Sequence, residues 1–91
     1  MYISENCMDI VESSHNLQVI GEYDVVVAGG GSAGVSAAVS ASRAGAKTAL
    51  VERYGYSGGL ATGGLVILLV GLVANNQRVI KGICEEVINR L

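Results

Sequence analysis

The 91-residue chain contains no proline, tryptophan or phenylalanine, and its aromatic content is four tyrosines. Cysteine is scarce: Cys7 and Cys84 lie far apart and form no CxxC. Two isolated thiols do not make a zinc or iron–sulfur site, and with no secretory signature they read as reduced thiols of a cytoplasmic protein. Positive charge is also short, with six basic against eight acidic residues and a formal net charge of −2. That balance gives no basic field for nucleic acid and no polybasic patch for a membrane surface. The first residues carry Glu5, Asp9 and Glu12, where a signal peptide would carry positive charge followed by an unbroken apolar core. No apolar run is long enough to span a bilayer. The stretch nearest to one, LATGGLVILLVGLVA from Leu60 to Ala74, falls short of the roughly 18 residues required and is interrupted by glycine and threonine. There is no Ser/His/Asp set, no pair of carboxylates at productive spacing and no metal-ligand cluster in the sequence. The single histidine, His15, sits in a polar ESSHN stretch and reads as a solvated loop residue.

Glycine, in contrast, is abundant: thirteen residues, twice the usual share of roughly 7%. Seven of them fall into two clusters, GGG at 29–31 and SGGLATGG at 57–64. The first cluster is bounded by regular segments. Tyr23–Ala28 (YDVVVA) is an unalternating β-branched run, as in a strand of a parallel sheet covered on both faces. Ser32–Gly45 (SAGVSAAVSASRAG) has the propensity of a buried helix, with Ala33, Ala37, Ala38 and Ala41 small enough to lie against a sheet. Gly45 sits where a C-terminal cap glycine belongs, with Arg43 in the last turn, facing the negative end of the helix dipole. Lys47–Glu52 (KTALVE) is a second short strand. Strand, helix and strand form one βαβ unit of about 30 residues.

Gly29, Gly31 and Gly34 spell G-x-G-x-x-G at the turn from strand to helix. The first glycine permits the sharp turn, the second leaves room for a pyrophosphate, and the third lets helix and strand close. Amides at the helix start, on the positive end of its dipole, then hold the phosphate charge. Glu52 ends the second strand with seventeen residues between it and Gly34. It is positioned to accept hydrogen bonds from ribose hydroxyls and would repel a 2′-phosphate, an effect that Arg53 beside it softens. The fingerprint by itself does not separate FAD from NAD.

Beyond the second glycine cluster, LVILLVGLV is compatible with either a strand or a buried helix, and ANNQ reads as a turn. In RVIKGICEEVINRL, Val79, Ile80, Ile83, Cys84, Val87, Ile88 and Leu91 recur at helical spacing. That pattern predicts an amphipathic helix with Cys84 on its core side. Tyr54 and Tyr56, beside the glycines, read as packing residues with their hydroxyls at the surface.

The segment GEYDVVVAGGGSAGVSAAVSASRAGAKTALVERYGYSGGLATGGLV resembles the N-terminal FAD-binding segment of the FAD-dependent oxidoreductase family. The resemblance runs over roughly residues 19–91 and is most specific over residues 23–64. It departs from many members at Ser32, where they carry proline; serine is a fair helix-start residue. The resemblance implies FAD as cofactor. Carried over by position, Gly29, Gly31, Ser32, Ala33 and Gly34 line the pyrophosphate. Glu52 takes the ribose, and Arg53 lies beside the adenosine. Gly58, Gly59, Ala61 and Thr62 match the second glycine motif, which approaches the dinucleotide from the other side.

The fold expected is α/β: a Rossmann-like βαβ dinucleotide-binding unit, incomplete, forming the N-terminal portion of a larger parallel-sheet domain. Residues 1–22 form a lead segment and residues 23–91 the partial FAD-binding domain. The family's substrate domain and catalytic groups lie further along its longer chains. The expectation is therefore a flavin oxidoreductase part that holds the ADP moiety of FAD, is not catalytically complete alone, and is joined to the rest of the flavoprotein in one longer chain or as a second subunit. The alternatives are a non-catalytic NAD-binding module and an inactive fragment. No catalytic residue is identified, and no nucleic-acid or membrane partner is expected.

Overall fold

The computed structural model describes residues 9–91. Residues 9–22 form no helix or strand, and Cys7 lies outside the described residues. The first regular unit is strand β1 (Val25–Ala28), helix α1 (Ser32–Arg43) and strand β2 (Thr48–Val51). β1 and β2 pair in parallel with Val25 opposite Thr48 and Ala28 opposite Val51. The pair is closed at its lower end by Asp24, whose N–H donates to the Lys47 carbonyl (2.9 Å) and whose carboxylate accepts from the Lys47 N–H (2.7 Å). A parallel pair needs a crossover, and α1 supplies it.

The end of α1 is set by a complete Schellman arrangement. The Ala46 N–H reaches back to the Ala41 carbonyl and the Gly45 N–H to the Ser42 carbonyl, with Gly45 at φ +94°. The cap glycine read from the sequence is thus in place. Arg43, at the last turn, points its guanidinium at Glu86, with Nη2 2.7 and 2.9 Å from the two carboxylate oxygens.

Helix α1 covers one face of the two strands. Val25 and Val27 are half-buried while Val26 is 59% exposed. The strand expected to be covered on both faces is covered on one, because no second layer among the described residues lies against Val26 and Val51. Of the alanines expected to press on the sheet, Ala38 and Ala41 are half-buried and Ala33 and Ala37 are exposed. Among the described residues no hydrophobic side chain is fully buried. The Cα radius of gyration is 18.6 Å, against roughly 12 Å for a compact chain of this length.

Beyond β2 the chain makes a single helical turn, α2 (Leu60–Gly63), and then runs without regular structure to a small hairpin of β3 (Val73–Ala74) and β4 (Gln77–Arg78). Asn75 and Asn76 turn the hairpin at φ +48° and +59°, the both-positive geometry of a type I′ turn, which asparagine tolerates. The apolar run that was compatible with strand or helix is mostly neither: Leu65, Ile67 and Val70 are 93%, 99% and 79% exposed. The final helix, α3 (Ile83–Arg90), is shorter than the apolar periodicity suggests. Gly82 at φ +75° and ψ −140° cannot continue a helix, so Val79 and Ile80 fall outside it. Ile83 and Ile88 are half-buried, whereas Cys84 is exposed, correcting its expected core position. No helix of the described residues is long and apolar enough to cross a membrane.

Candidate functional site

The site forms where β1, α1, β2 and the second glycine cluster meet. Gly29 leaves β1 at φ +100°, a conformation that side chains rarely adopt, while its N–H donates to the Val51 carbonyl (2.8 Å) and keeps the turn tied to β2. Gly34, in the first turn of α1, faces back to this turn. A Cβ there would run into the Gly29 carbonyl, and would lie 3.5 Å from the Val27 methyl. These two glycines are required by the fold itself.

Gly31 is different. Its φ of −67° suits any residue, and a Cβ built on it would meet nothing within 4 Å. It stands at the N-cap of α1, which has no side-chain cap. The first bond of the helix runs from the Val35 N–H to the Gly31 carbonyl (2.9 Å). The amides of Ser32, Ala33 and Gly34 precede it, at the positive end of a twelve-residue helix. Thus a stretch of open space faces a set of uncapped amides. The Ser32 hydroxyl lies within 3.4 Å of the Gly58 carbonyl, and Ala33 is exposed.

The second glycine cluster docks on the first. The Gly58 N–H donates to the Gly30 carbonyl (2.7 Å), and Gly31 and Gly58 form a parallel bridge, a one-residue continuation of the sheet. Gly59 approaches Gly31 so closely that a Cβ on it would be 3.1 Å from the Gly31 Cα. Ala61 and Thr62 lie on α2, both exposed. The Thr62 hydroxyl donates to the Ser57 carbonyl (2.6 Å), so it holds the turn that presents Gly58.

Glu52, just beyond β2, closes the other side. One carboxylate oxygen accepts from the Gly30 N–H at 2.5 Å, and the other accepts from the N–H groups of Arg53 (2.6 Å) and Tyr54 (3.0 Å). The Tyr54 amide most and then that of Gly30 hold this carboxyl below the usual carboxylate range; desolvation opposes them by less than either, and the Arg53 amide adds the smallest lowering. Three of its lone-pair directions are occupied by backbone donors; the Gly30-bound oxygen retains a free one.

Gly30 is the residue that sequence reasoning passed over. It is the one buried residue among those described. Its N–H binds Glu52, its carbonyl binds Gly58, and a Cβ on it would lie 2.8 Å from the Glu52 carboxylate. The signal was available in the run of three consecutive glycines, of which the G-x-G-x-x-G spacing accounts for two. Arg53 and Tyr54 follow Glu52 on the exposed surface, with the Arg53 guanidinium 5.8 Å from the Tyr54 ring centre. No group of three or more His, Cys, Asp or Glu residues among those described could hold a metal ion.

Comparison with known protein families gives a match to the FAD dependent oxidoreductases over residues 24–91, about three quarters of the chain. Comparisons with curated proteins and with solved structures each gave no match. The matched span takes in β1, both glycine clusters, Glu52 and α3, and the chain belongs to the FAD dependent oxidoreductase family, whose cofactor is FAD.

Proposed function

We propose that this chain holds the ADP moiety of FAD in a flavin-dependent oxidoreductase, with β1, α1 and β2 acting as the first unit of a Rossmann-like domain over residues 23–91. The observation that carries this reading is at Gly31. A residue with ordinary backbone angles and open space before it is not held to glycine by φ or by steric contact within the fold, and Ser, Asn or Asp would cap α1 better. A ligand that must approach the backbone supplies the reason for glycine.

On this reading the pyrophosphate lies against Gly29, Gly31, Ser32, Ala33 and Gly34. It accepts hydrogen bonds from the uncapped amides of α1, where the helix dipole favours negative charge. Gly58 and Gly59 border the same space from the second cluster, bridged to Gly31, and Ala61 and Thr62 support that border from α2. The free lone pair of Glu52 takes a ribose hydroxyl, and Arg53 lies beside the adenosine. The donor set suits the group: backbone amides for phosphate, a carboxylate for a neutral diol, and no side chain in the approach. FAD when bound supplies the redox chemistry, and the chain's own residues bind and orient its ADP end.

The exposed apolar surface of Val26, Val51 and the Leu65–Val70 stretch supports a further part of the reading. The remainder of the flavoprotein, whether in one longer chain or a second subunit, covers these residues and supplies the flavin and substrate environment. Residues 1–22 act as a lead segment outside this unit, and the location is the cytoplasm.

Competition tests the assignment. ADP displaces FAD from the intact protein, since it carries every group assigned to this site, while FMN, which lacks the ADP half, does not. Displacement by FMN with none by ADP would overturn the reading.

A further inference from the structure

We propose that Tyr54 and Tyr56 form an aromatic wall on which the adenine ring of the dinucleotide stacks, with the Arg53 guanidinium over the Tyr54 ring. The inference rests on the assignment of the ADP moiety to the neighbouring cradle. The chain has four aromatic side chains in all, and two of them stand together immediately after Glu52. Their rings lie nearly parallel, at 14°, with centres 5.7 Å apart. That is the range of an offset-stacked pair. The Arg53 guanidinium lies 5.8 Å from the Tyr54 ring centre, within reach of a cation–π interaction.

The wall is fixed at both ends. The Tyr54 N–H donates to the Glu52 carboxylate (3.0 Å), so the ring is carried on the residue whose backbone touches the ribose-binding group. Tyr56 lies against Gly63 of α2, where a Cβ would come 2.6 Å from the ring carbon Cε2. The absent side chain at 63 therefore makes room for the Tyr56 ring. Yet Tyr54 is 60% and Tyr56 50% exposed, and among the described residues neither hydroxyl makes a hydrogen bond. The pair is ordered by its neighbours and remains uncovered. A flat, π-faced, uncharged group attached to the ribose is the chemistry that would cover it, and adenine is that group in FAD. Stacking is tolerant of the exact ring and needs no hydrogen-bond readout, which agrees with the absence of partners for the hydroxyls.

Two probes that differ only in the base test this. AMP and ribose 5-phosphate are titrated calorimetrically into the intact protein stripped of flavin, as wild type, Tyr54→Ala and Tyr54→Phe. Loss of one stacking ring weakens binding of a base by roughly 5- to 100-fold. The expected result is a loss of that order for AMP in Tyr54→Ala, unchanged affinity for ribose 5-phosphate, and near wild-type AMP affinity in Tyr54→Phe. An equal loss for both probes would overturn the wall and leave Tyr54 as a support for Glu52. Unchanged AMP affinity in Tyr54→Ala would also overturn it. Failure of the wild type to bind AMP or ADP at all would overturn the underlying assignment of the cradle, a result distinct from either. Should Tyr54→Ala fail to fold by circular dichroism, Tyr54→Leu keeps the bulk and removes the π-face, and the same outcomes apply.

Discussion

Gly31→Val separates what the ligand requires at this position from what the fold requires. The backbone at φ −67° accepts valine, and a Cβ meets nothing within 4 Å. The unliganded protein should therefore lose no more than about 1 kcal/mol of stability, the cost of an apolar residue in place of glycine at a helix N-cap. The bound state is another matter. A branched side chain set into the space before the α1 amides keeps a phosphate beyond the roughly 3.2 Å reach of a hydrogen bond. Losing two bonds to a charged group, at about 1.5–3 kcal/mol each, removes roughly 3–6 kcal/mol. That corresponds to a rise in the FAD dissociation constant of about 10²- to 10⁴-fold. FAD fluorescence quenching measures the affinity and differential scanning calorimetry the fold. Gly34→Ala is the counter-case, because its Cβ would run into the Gly29 carbonyl. It should destabilise the unliganded protein by at least about 1–3 kcal/mol, the cost of overpacking. A folded Gly31→Val protein with wild-type FAD affinity would refute the reasoning, as would a Gly31→Val protein that loses stability as Gly34→Ala does.

Glu52 and α3 give two more tests. Because backbone amides of Tyr54, Gly30 and Arg53 hold the Glu52 carboxyl low, its contribution is fully present above the unfolded-state pKa of about 4.3 and is lost as pH falls through the lower folded value. Stability and FAD affinity should thus be insensitive to this group from pH 5 to 8 and fall below about pH 4, and Glu52→Gln, which cannot accept through its amide nitrogen, should remove that acid dependence. An unchanged acid limb in Glu52→Gln, followed by calorimetry across pH, would count against the role. At the other end of α1, Arg43→Ala removes both contacts to Glu86. Amide exchange over Ile83–Arg90 should then accelerate and become less dependent on salt, the Arg78–Glu85 and Arg90–Glu86 pairs remaining, with little change in exchange at β1 and β2; unaltered exchange in α3 would show that other contacts hold it.

The βαβ unit was legible because its determinants are local. A β-branched run, a glycine turn, a helix of small residues and a Schellman glycine each act within a few residues, and β1, α1 and β2 follow them closely. The candidate site was legible in its parts and less so in its wiring. The bond from the Gly58 N–H to Gly30 and the seat of Glu52 on the Gly30 amide join residues more than twenty positions apart. Spacing alone does not encode such contacts. The apolar stretch after Gly64 misled in a different way. Its hydrophobicity suits a covered element, but Leu65 and Gly71 take positive φ and nothing among the described residues lies over it. Periodicity likewise placed Cys84 on a core face of a longer helix, whereas Gly82 breaks that helix and Cys84 is left exposed.

The central claim is that the glycine cradle is a phosphate site, and the most direct measurement is an amide nitrogen–proton correlation spectrum of the intact, isotope-labelled protein during titration with ADP. The account predicts saturable shifts at Gly31, Ser32, Ala33 and Gly34, with smaller ones at Gly58 and Gly59. Shifts confined to other residues at saturation, or no binding of ADP, would contradict it.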